Sequence, residues 1–260
     1  MTPVHDARLG AEMSRRAAPI SVVEAAALDT LRLHVQPGSL AGSATRALRD
    51  AIVRGLLPPG TALRQDRLAD ALNMSRVPVR ESLRELAGGG LVVLEVHKGA
   101  TVSRLSLDEL DELYGIVWSL EEIALRKAVP VMTAAALSGM QTALDAMAAE
   151  QDPVAWYGLN VAFHREPILV SGLMHILRTI DAIRWNICRY VTSPALFARK
   201  AGTWRKRDRR LLVACRNRDV EAALAALDDM RRLSTAEVRR DVERRMSVGD
   251  GGGGAGVTKP

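Results

Sequence analysis

Between residues 107 and 246 apolar side chains recur every three to four positions, the period of an amphipathic helix, and no stretch alternates with the two-residue period of a strand. The pattern predicts six helices, at residues 107–128, 133–149, 153–171, 173–193, 195–216 and 219–245. Pro130, Pro153, the Ser171 and Gly172 pair, and residues 217–219 separate most of them. Helices of this length joined by short breaks make an antiparallel bundle, whose ligand sites lie among the facing helices.

Upstream the pattern changes character. Residues 43–55 predict a helix with Ala47, Leu48, Ala51 and Ile52 inward and Arg46, Arg49 and Arg54 outward. A rigid turn at residues 56–60 leads to a short helix over residues 64–73, carried by Leu68, Ala69 and Leu72. Asn73 is placed to end that helix and Ser75 to cap the next, with Pro78 in its first turn, where a missing N–H costs nothing. Along this helix Val79, Leu83 and Leu86 form one stripe, and Arg76, Arg80 and Arg84 form another on a different face. Three glycines, 88–90, end it. A β-branched run at 91–96, a turn at 97–100 built around Gly99, and a second run at 101–103 predict a hairpin.

Helix, tight turn, arginine-striped helix and hairpin, in that order, describe a winged helix-turn-helix, which lays its second helix in the major groove of DNA. The fold class expected is therefore mainly α: three helices and a β-hairpin wing, then an all-α antiparallel bundle. Arginine suits the role because its planar fork grips phosphate oxygens, or the O6 and N7 of guanine, through two parallel hydrogen bonds. Ser75, Arg76 and Arg80, at the start of the helix, are placed to read bases, with Arg46 outward on the first helix beside them. Lys98 at the hairpin tip is placed to reach a phosphate, and His97 a phosphate or the minor-groove edge.

Composition narrows the picture. The chain has 260 residues, 48% of them hydrophobic, enough for two cores, and a formal net charge of +6, which favours a polyanionic partner. Residues 43–104 contain ten Lys/Arg against six Asp/Glu, a surplus of four. Aromatic residues make up only 3%, too few for the stacking platforms that hold single-stranded nucleic acid. Cys188 and Cys215 are too few for a disulfide framework and read as reduced core residues of a cytoplasmic protein. No run has the length to span a bilayer, so no membrane partner is expected. The expected organisation is a flexible arm at 1–42, the winged domain at 43–104, a helical effector-binding and dimerisation domain at 105–246, and a disordered Gly-rich tail at 247–260.

The GLLPPG run at 55–60, Leu68 with Ala69, the MSRVPVRESL run at 74–83 and Gly90-Leu91-Val92 resemble the GntR family of bacterial transcription regulators. The resemblance implies that Ser75, Arg76, Arg80 and the wing tip contact an operator. It also implies that Arg67 stands beside a position, Asp66 here, where relatives carry a DNA-contacting arginine. The all-α second half selects the FadR subgroup, whose effector module is the FCD domain. The matching pieces are Leu120 with Glu121, Ala162-Phe163-His164, and residues 211–214 through Asp219 to Ala223.

FCD domains of the metal-binding kind use one Asp and three His. By resemblance those four positions here hold Asn160, His164, Asp208 and Met230, leaving His164 and Asp208 as weak metal candidates and no cofactor expected. An arginine that relatives direct at acidic effectors is Val117 here, followed by Trp118. With Trp185 and Tyr190 on another helix, this favours an apolar or weakly polar organic effector touching Trp118, Asn160, His164, Asp208 and Met230. Alternatively Asn160 and His164, at i and i+4, form a hydrogen-bonded pair of the bundle with no ligand role.

The reading that results is a homodimeric, ligand-responsive repressor of the double-stranded operator it binds. Two alternatives stand beside it: a constitutive DNA-binding dimer whose bundle binds no ligand, and a metal-dependent sensor built on His164 and Asp208. A catalytic chain is disfavoured, since no nucleophile motif, phosphate-cradling loop or metal cluster is apparent.

Overall fold

The computed structural model describes residues 40–95, 99–104 and 106–250, and divides them between two hydrophobic cores. The first belongs to α1 (Leu40–Val53), α2 (Gln65–Leu72), α3 (Arg76–Gly88), β1 (Val92–Glu95) and β2 (Gly99–Val102). Helix α1 buries Ala44, Ala47, Leu48, Ala51 and Ile52, one face at helical spacing, against Val79, Leu83 and Leu86 of α3. The sharp turn between α2 and α3 is made at Asn73, whose φ of 51° is left-handed, a conformation asparagine tolerates better than most residues. Ser75 occupies the N-cap of α3 in extended conformation, yet its side chain makes no capping hydrogen bond.

The hairpin is antiparallel, pairing Val92 with Val102 and Glu95 with Gly99. Backbone bonds from Leu63 N–H to the Ala100 carbonyl (2.8 Å) and from Val102 N–H to the Thr61 carbonyl (2.9 Å) add the segment before α2 to its edge. β2 begins at Gly99, two residues before the expected run. Expected wing-tip contacts His97 and Lys98 lie outside the described residues.

The second core belongs to α4 (Leu107–Ala128), a 3₁₀ turn (Val129–Val131), α5 (Ala134–Ala149), α6 (Pro153–Ser171), α7 (Met174–Val191), α8 (Pro194–Arg216) and α9 (Val220–Asp250). Their starts follow local chemistry. Ser106, Thr133 and Asp152 each accept a backbone N–H of the first turn, and Pro153 and Pro194 occupy opening positions where no N–H is needed. Ion pairs Arg210–Asp229, Arg207–Glu237 and Arg199–Asp241 run in opposite senses along α8 and α9, as an antiparallel pair requires. Helix boundaries fall close to those expected from periodicity, with two departures: α1 starts at Leu40, and α9 continues to Asp250, past the expected start of the tail at 247. The rest of the expected tail and most of the expected arm lie outside the described residues. No helix among the described residues is long and apolar enough to cross a membrane.

Candidate functional site

Two places in the fold gather the sequence candidates. The first is the exposed N-terminal end of α3. Ser75, Arg76 and Arg80 are all exposed there, and Arg84 follows one turn on. Arg80 and Arg84 make no ion pair among the described residues. Arg76 Nε, in contrast, lies 2.5 Å from Asp66 Oδ1 of α2, with both side chains well exposed. Between Arg76 and Arg80 stands Val77, 51% exposed, an apolar side chain on the same surface that belongs to neither stripe of the helix. Its signal was readable: a valine off the buried stripe, at the start of a helix. Arg46 of α1 is exposed and donates to Ser43 Oγ at 3.3 Å; Arg67 is half-buried on α2. Arg49, expected outward with Arg46, instead turns toward the bundle, its guanidinium 4.7 Å above the Trp185 ring.

The second place is a cavity of about 80 Å³ in the bundle, lined by α4, α6, α7, α8 and α9. Trp118, Asn160, His164, Asp208 and Met230 all line it. So do Tyr114, Trp156, Tyr157 and Trp204, so that five of the nine aromatic residues of the chain face one space. The Tyr114 and Trp118 rings stack at 5.8 Å and 11°, and Trp156 packs on Trp204 at 5.8 Å.

Its polar floor is a buried charge cluster. Arg184 Nη2 donates to Glu121 Oε1 at 2.6 Å, and the Tyr157 hydroxyl donates to the Arg184 carbonyl at 3.0 Å. His164 lies between two acids, Nδ1 3.6 Å from Glu121 Oε2 and Nε2 3.3 Å from Asp208 Oδ1. Asn160 Nδ2 donates to Asp208 Oδ2 at 3.0 Å. Burial alone pushes the His164 imidazole toward its neutral form; Glu121 and Asp208 more than offset this, and its pKa is raised. At the other rim Arg207 donates to both Glu237 oxygens and to Ser234, and Trp204 Nε1 donates to Glu237 Oε2 at 2.9 Å.

Two readings of the sequence need correcting here, and three residues were missed. Asn160 and His164 do not pair with each other; each bonds Asp208 from α8. Trp185 and Tyr190 do not line the cavity, because they lie on the opposite side of α7, at the junction between the two cores. Glu121, Arg184 and Arg207 join the site without having been expected there, although a charge at a core position is a visible signal: Leu177, Ile180, Arg184, Ile187 and Val191 form one stripe, and Leu110, Tyr114, Val117 and Glu121 another.

Residues 40–102 match the gntR family of bacterial regulatory proteins, and residues 112–232 match the FCD domain. The chain belongs to the GntR family. A relative from Paenarthrobacter nicotinovorans, named as a probable D-xylose utilization operon transcriptional repressor, is 32% identical over 134 residues, 51% of this chain and 59% of the relative. The match thus spans under two thirds of that repressor's length. An HTH-type transcriptional regulator from the TAR-I ttuE–ttuC′ intergenic region of Agrobacterium vitis is 30% identical over 128 residues, 47% of this chain and 75% of the relative. A solved GntR-type regulator from Rhodococcus sp. RHA1 superposes with a TM-score of 0.64 at 24% identity over 77% of this chain and 98% of that one, a likeness of fold. These relatives are transcription regulators, not enzymes.

The donor set of this GntR-family chain does not fit a divalent metal. Both His164 nitrogens already face carboxylates, Nδ1 toward Glu121 and Nε2 toward Asp208. Asn160 turns its amide N–H₂ to Asp208, and Met230 offers only a thioether. Among the described residues no group of three or more His, Cys, Asp or Glu is placed to hold a metal.

Helix α7 connects the cavity to the winged domain. Its cavity face carries Arg184, Ile187 and Val191. Its other face meets the winged domain, where Arg189 Nη1 donates to the Ser103 carbonyl and Oγ, both at 2.8 Å; Arg189 Nη2 also donates to Glu109 Oε2 of α4 at 3.1 Å. The Tyr190 hydroxyl and Asn186 Nδ2 also donate to this α4 carboxylate, at 2.5 and 2.9 Å, and Asn186 lies beside Gly90 of the winged domain. Trp185 packs against both cores.

Proposed function

We propose that this GntR-family chain is a homodimeric repressor, acting in the cytoplasm, whose operator affinity is set by a small organic effector in the α4–α9 cavity. Ser75, Arg76 and Arg80 enter the major groove, Val77 packs against a thymine methyl, Arg46 and Arg67 hold flanking phosphates, and His97 and Lys98 bring the wing to the backbone. The GntR match and the exposed, capless start of α3 support this assignment.

One observation carries the regulatory half: α7 is a wall of the cavity on one side and the seat of the winged domain on the other. At about 80 Å³ the cavity is well below the several hundred Å³ of ordinary ligand pockets. An effector therefore enters by spreading its walls. Displacement of Ile187 and Val191 moves Asn186 and Arg189 with them, because all four belong to one helix. The winged domains of the dimer then change their separation, and the arrangement that fits both half-sites loses population.

The test starts from an operator selected out of random duplex DNA. Arg80→Ala lowers affinity for it by about 1–3 kcal/mol, read by fluorescence anisotropy. Unchanged affinity would sink the recognition-helix assignment. Compounds that raise the thermal midpoint of the protein are then added to the complex; if none of them alters operator affinity, the chain is a constitutive DNA-binding dimer instead.

A further inference from the structure

With the cavity as the effector site, its lining selects among effectors by charge and by shape, and the ligand class inferred from it rests on that reading. Each charged side chain facing the space already has its counter-charge in place: Arg184 on Glu121, His164 between Glu121 and Asp208, Arg207 on Glu237. A carboxylate or phosphate ligand meets only cations already neutralised by an acid, and an ammonium meets only acids already facing a cation. An ionic ligand thus brings its charge out of water without a free counter-charge to receive it, which is costly. The lining therefore disfavours an ionic ligand of either sign.

What it offers instead is ring surface. Tyr114 stacked with Trp118 makes one wall, Trp156 with Trp204 another, and Tyr157 stands beside the charged floor. A chain that uses aromatic residues sparingly has put most of them here. Two polar atoms of the lining, moreover, are buried with no hydrogen-bond partner: the indole Nε1 of Trp118 and Oε2 of Glu121. Buried polar atoms are seldom left so, and these two want opposite things, an acceptor and a donor. They belong to positions i and i+3 of α4, neighbours on one helical face. A hydroxyl group supplies both an acceptor and a donor.

We propose that the effector is an uncharged, ring-bearing small molecule with a hydroxyl group, a ligand of the phenol class. Its ring stacks between the two aromatic walls, and its hydroxyl donates to Glu121 Oε2 while accepting from Trp118 Nε1. The present cavity is about half the roughly 150 Å³ that admits a benzene ring, so the ring enters as the walls part. This is the displacement that α7 passes on.

Calorimetric titration of the full chain with phenol, toluene, benzoate and butyrate, without DNA, tests this directly. Phenol binds saturably, and benzoate, the same ring with a charge, binds at least about tenfold more weakly. Butyrate, charged and without a ring, is the weakest. Trp118→Phe keeps a ring and deletes the indole N–H, and lowers phenol affinity about fivefold relative to toluene. Benzoate or butyrate binding as tightly as phenol overturns the proposal, as does the absence of saturable binding by either uncharged ring. The wild-type ranking stands on its own should the variant fold poorly. Phenol that binds but leaves operator affinity unchanged overturns the regulatory reading while the ligand class survives.

Discussion

The recognition surface and the cavity use the same residue, arginine, in opposite ways. On α3 Arg80 and Arg84 stand in water with no ion pair among the described residues, available to a polyanion that brings its own negative charge. In the bundle Arg184 is 6% exposed and held on Glu121, with Tyr157 on its carbonyl. A surface cation is a contact waiting for a partner; a buried one already belongs to the fold. The comparison breaks most visibly in stability. Arg184→Ala leaves Glu121 buried and weakly compensated, and should destabilise the protein by about 3–5 kcal/mol in urea denaturation. Arg80→Ala should lie within about 0.5 kcal/mol of wild type. Replacing Arg184 and Glu121 together by methionine should recover most of the loss. If Arg184→Ala instead behaves like Arg80→Ala, the two regions are not opposites.

His164 sharpens the same contrast through pH. Its folded-state pKa is raised because Glu121 and Asp208 outweigh the desolvation that acts against its charge. The folded protein therefore holds this proton to higher pH than the unfolded chain does. The stabilisation is fully present below the ordinary histidine value of about 6.5 and is lost as pH rises through the raised folded value. Urea midpoints of wild type and His164→Gln should differ most at the acid end of that window and converge above it. A gap that is constant across pH would mean that His164 contributes packing alone.

The elements of the winged domain were legible in the sequence to within two or three residues, among those described, because their determinants are local. Asn73, Pro78 and Gly99 each act within a few positions, and the Arg76 and Arg80 stripe follows from helical period alone. Net charge discriminates less well. Residues 193–247 hold fifteen Lys/Arg against eight Asp/Glu, a larger surplus than that of the winged domain, and many of those arginines are paired along α8 and α9. Geometry, not charge, picks out the proposed DNA-binding face.

The cavity was half legible. The family positions Asn160, His164, Asp208 and Met230 converge as expected, but which side chain bonds which depends on how α4, α7 and α8 pack, and no single segment encodes that. Trp185 illustrates the limit. Helical period gives its face on α7, but not that the face opposite the cavity is covered by the winged domain.

Gly90 tests that covering. Its φ of +78° lies in the left-handed region, and a Cβ there would come within 2.6 Å of Asn186 Nδ2 on α7. Gly90→Ala should therefore cost about 1–2 kcal/mol from backbone strain alone. It should also push α7 away from the wing. Removing the obstruction in Gly90→Ala/Asn186→Ala relieves the steric part and leaves the conformational part. Full recovery in the double variant would show that the contact across the junction dominates, and no recovery would show that strain does. Either result measures how firmly the cavity helix is seated on the winged domain.

The smallest effect concerns Arg76, a proposed DNA contact that is ion-paired within the protein. Arg76 is held by Asp66 across the turn between α2 and α3, so it must exchange a carboxylate for a base or phosphate when it binds. Both side chains are exposed, and such pairs contribute little to stability, so Asp66→Asn should leave the thermal midpoint nearly unchanged. It removes a negative charge from the DNA-facing surface and releases Arg76, so operator affinity should rise about two- to fivefold. The gain should shrink as salt is raised, because it is electrostatic. Asp66→Asn combined with Arg76→Ala separates the two contributions: any gain that persists in the double variant comes from lost repulsion between Asp66 and the phosphates. A gain that vanishes comes from the released arginine, and would make Asp66 an internal competitor that lowers the affinity of the recognition helix for every sequence it meets.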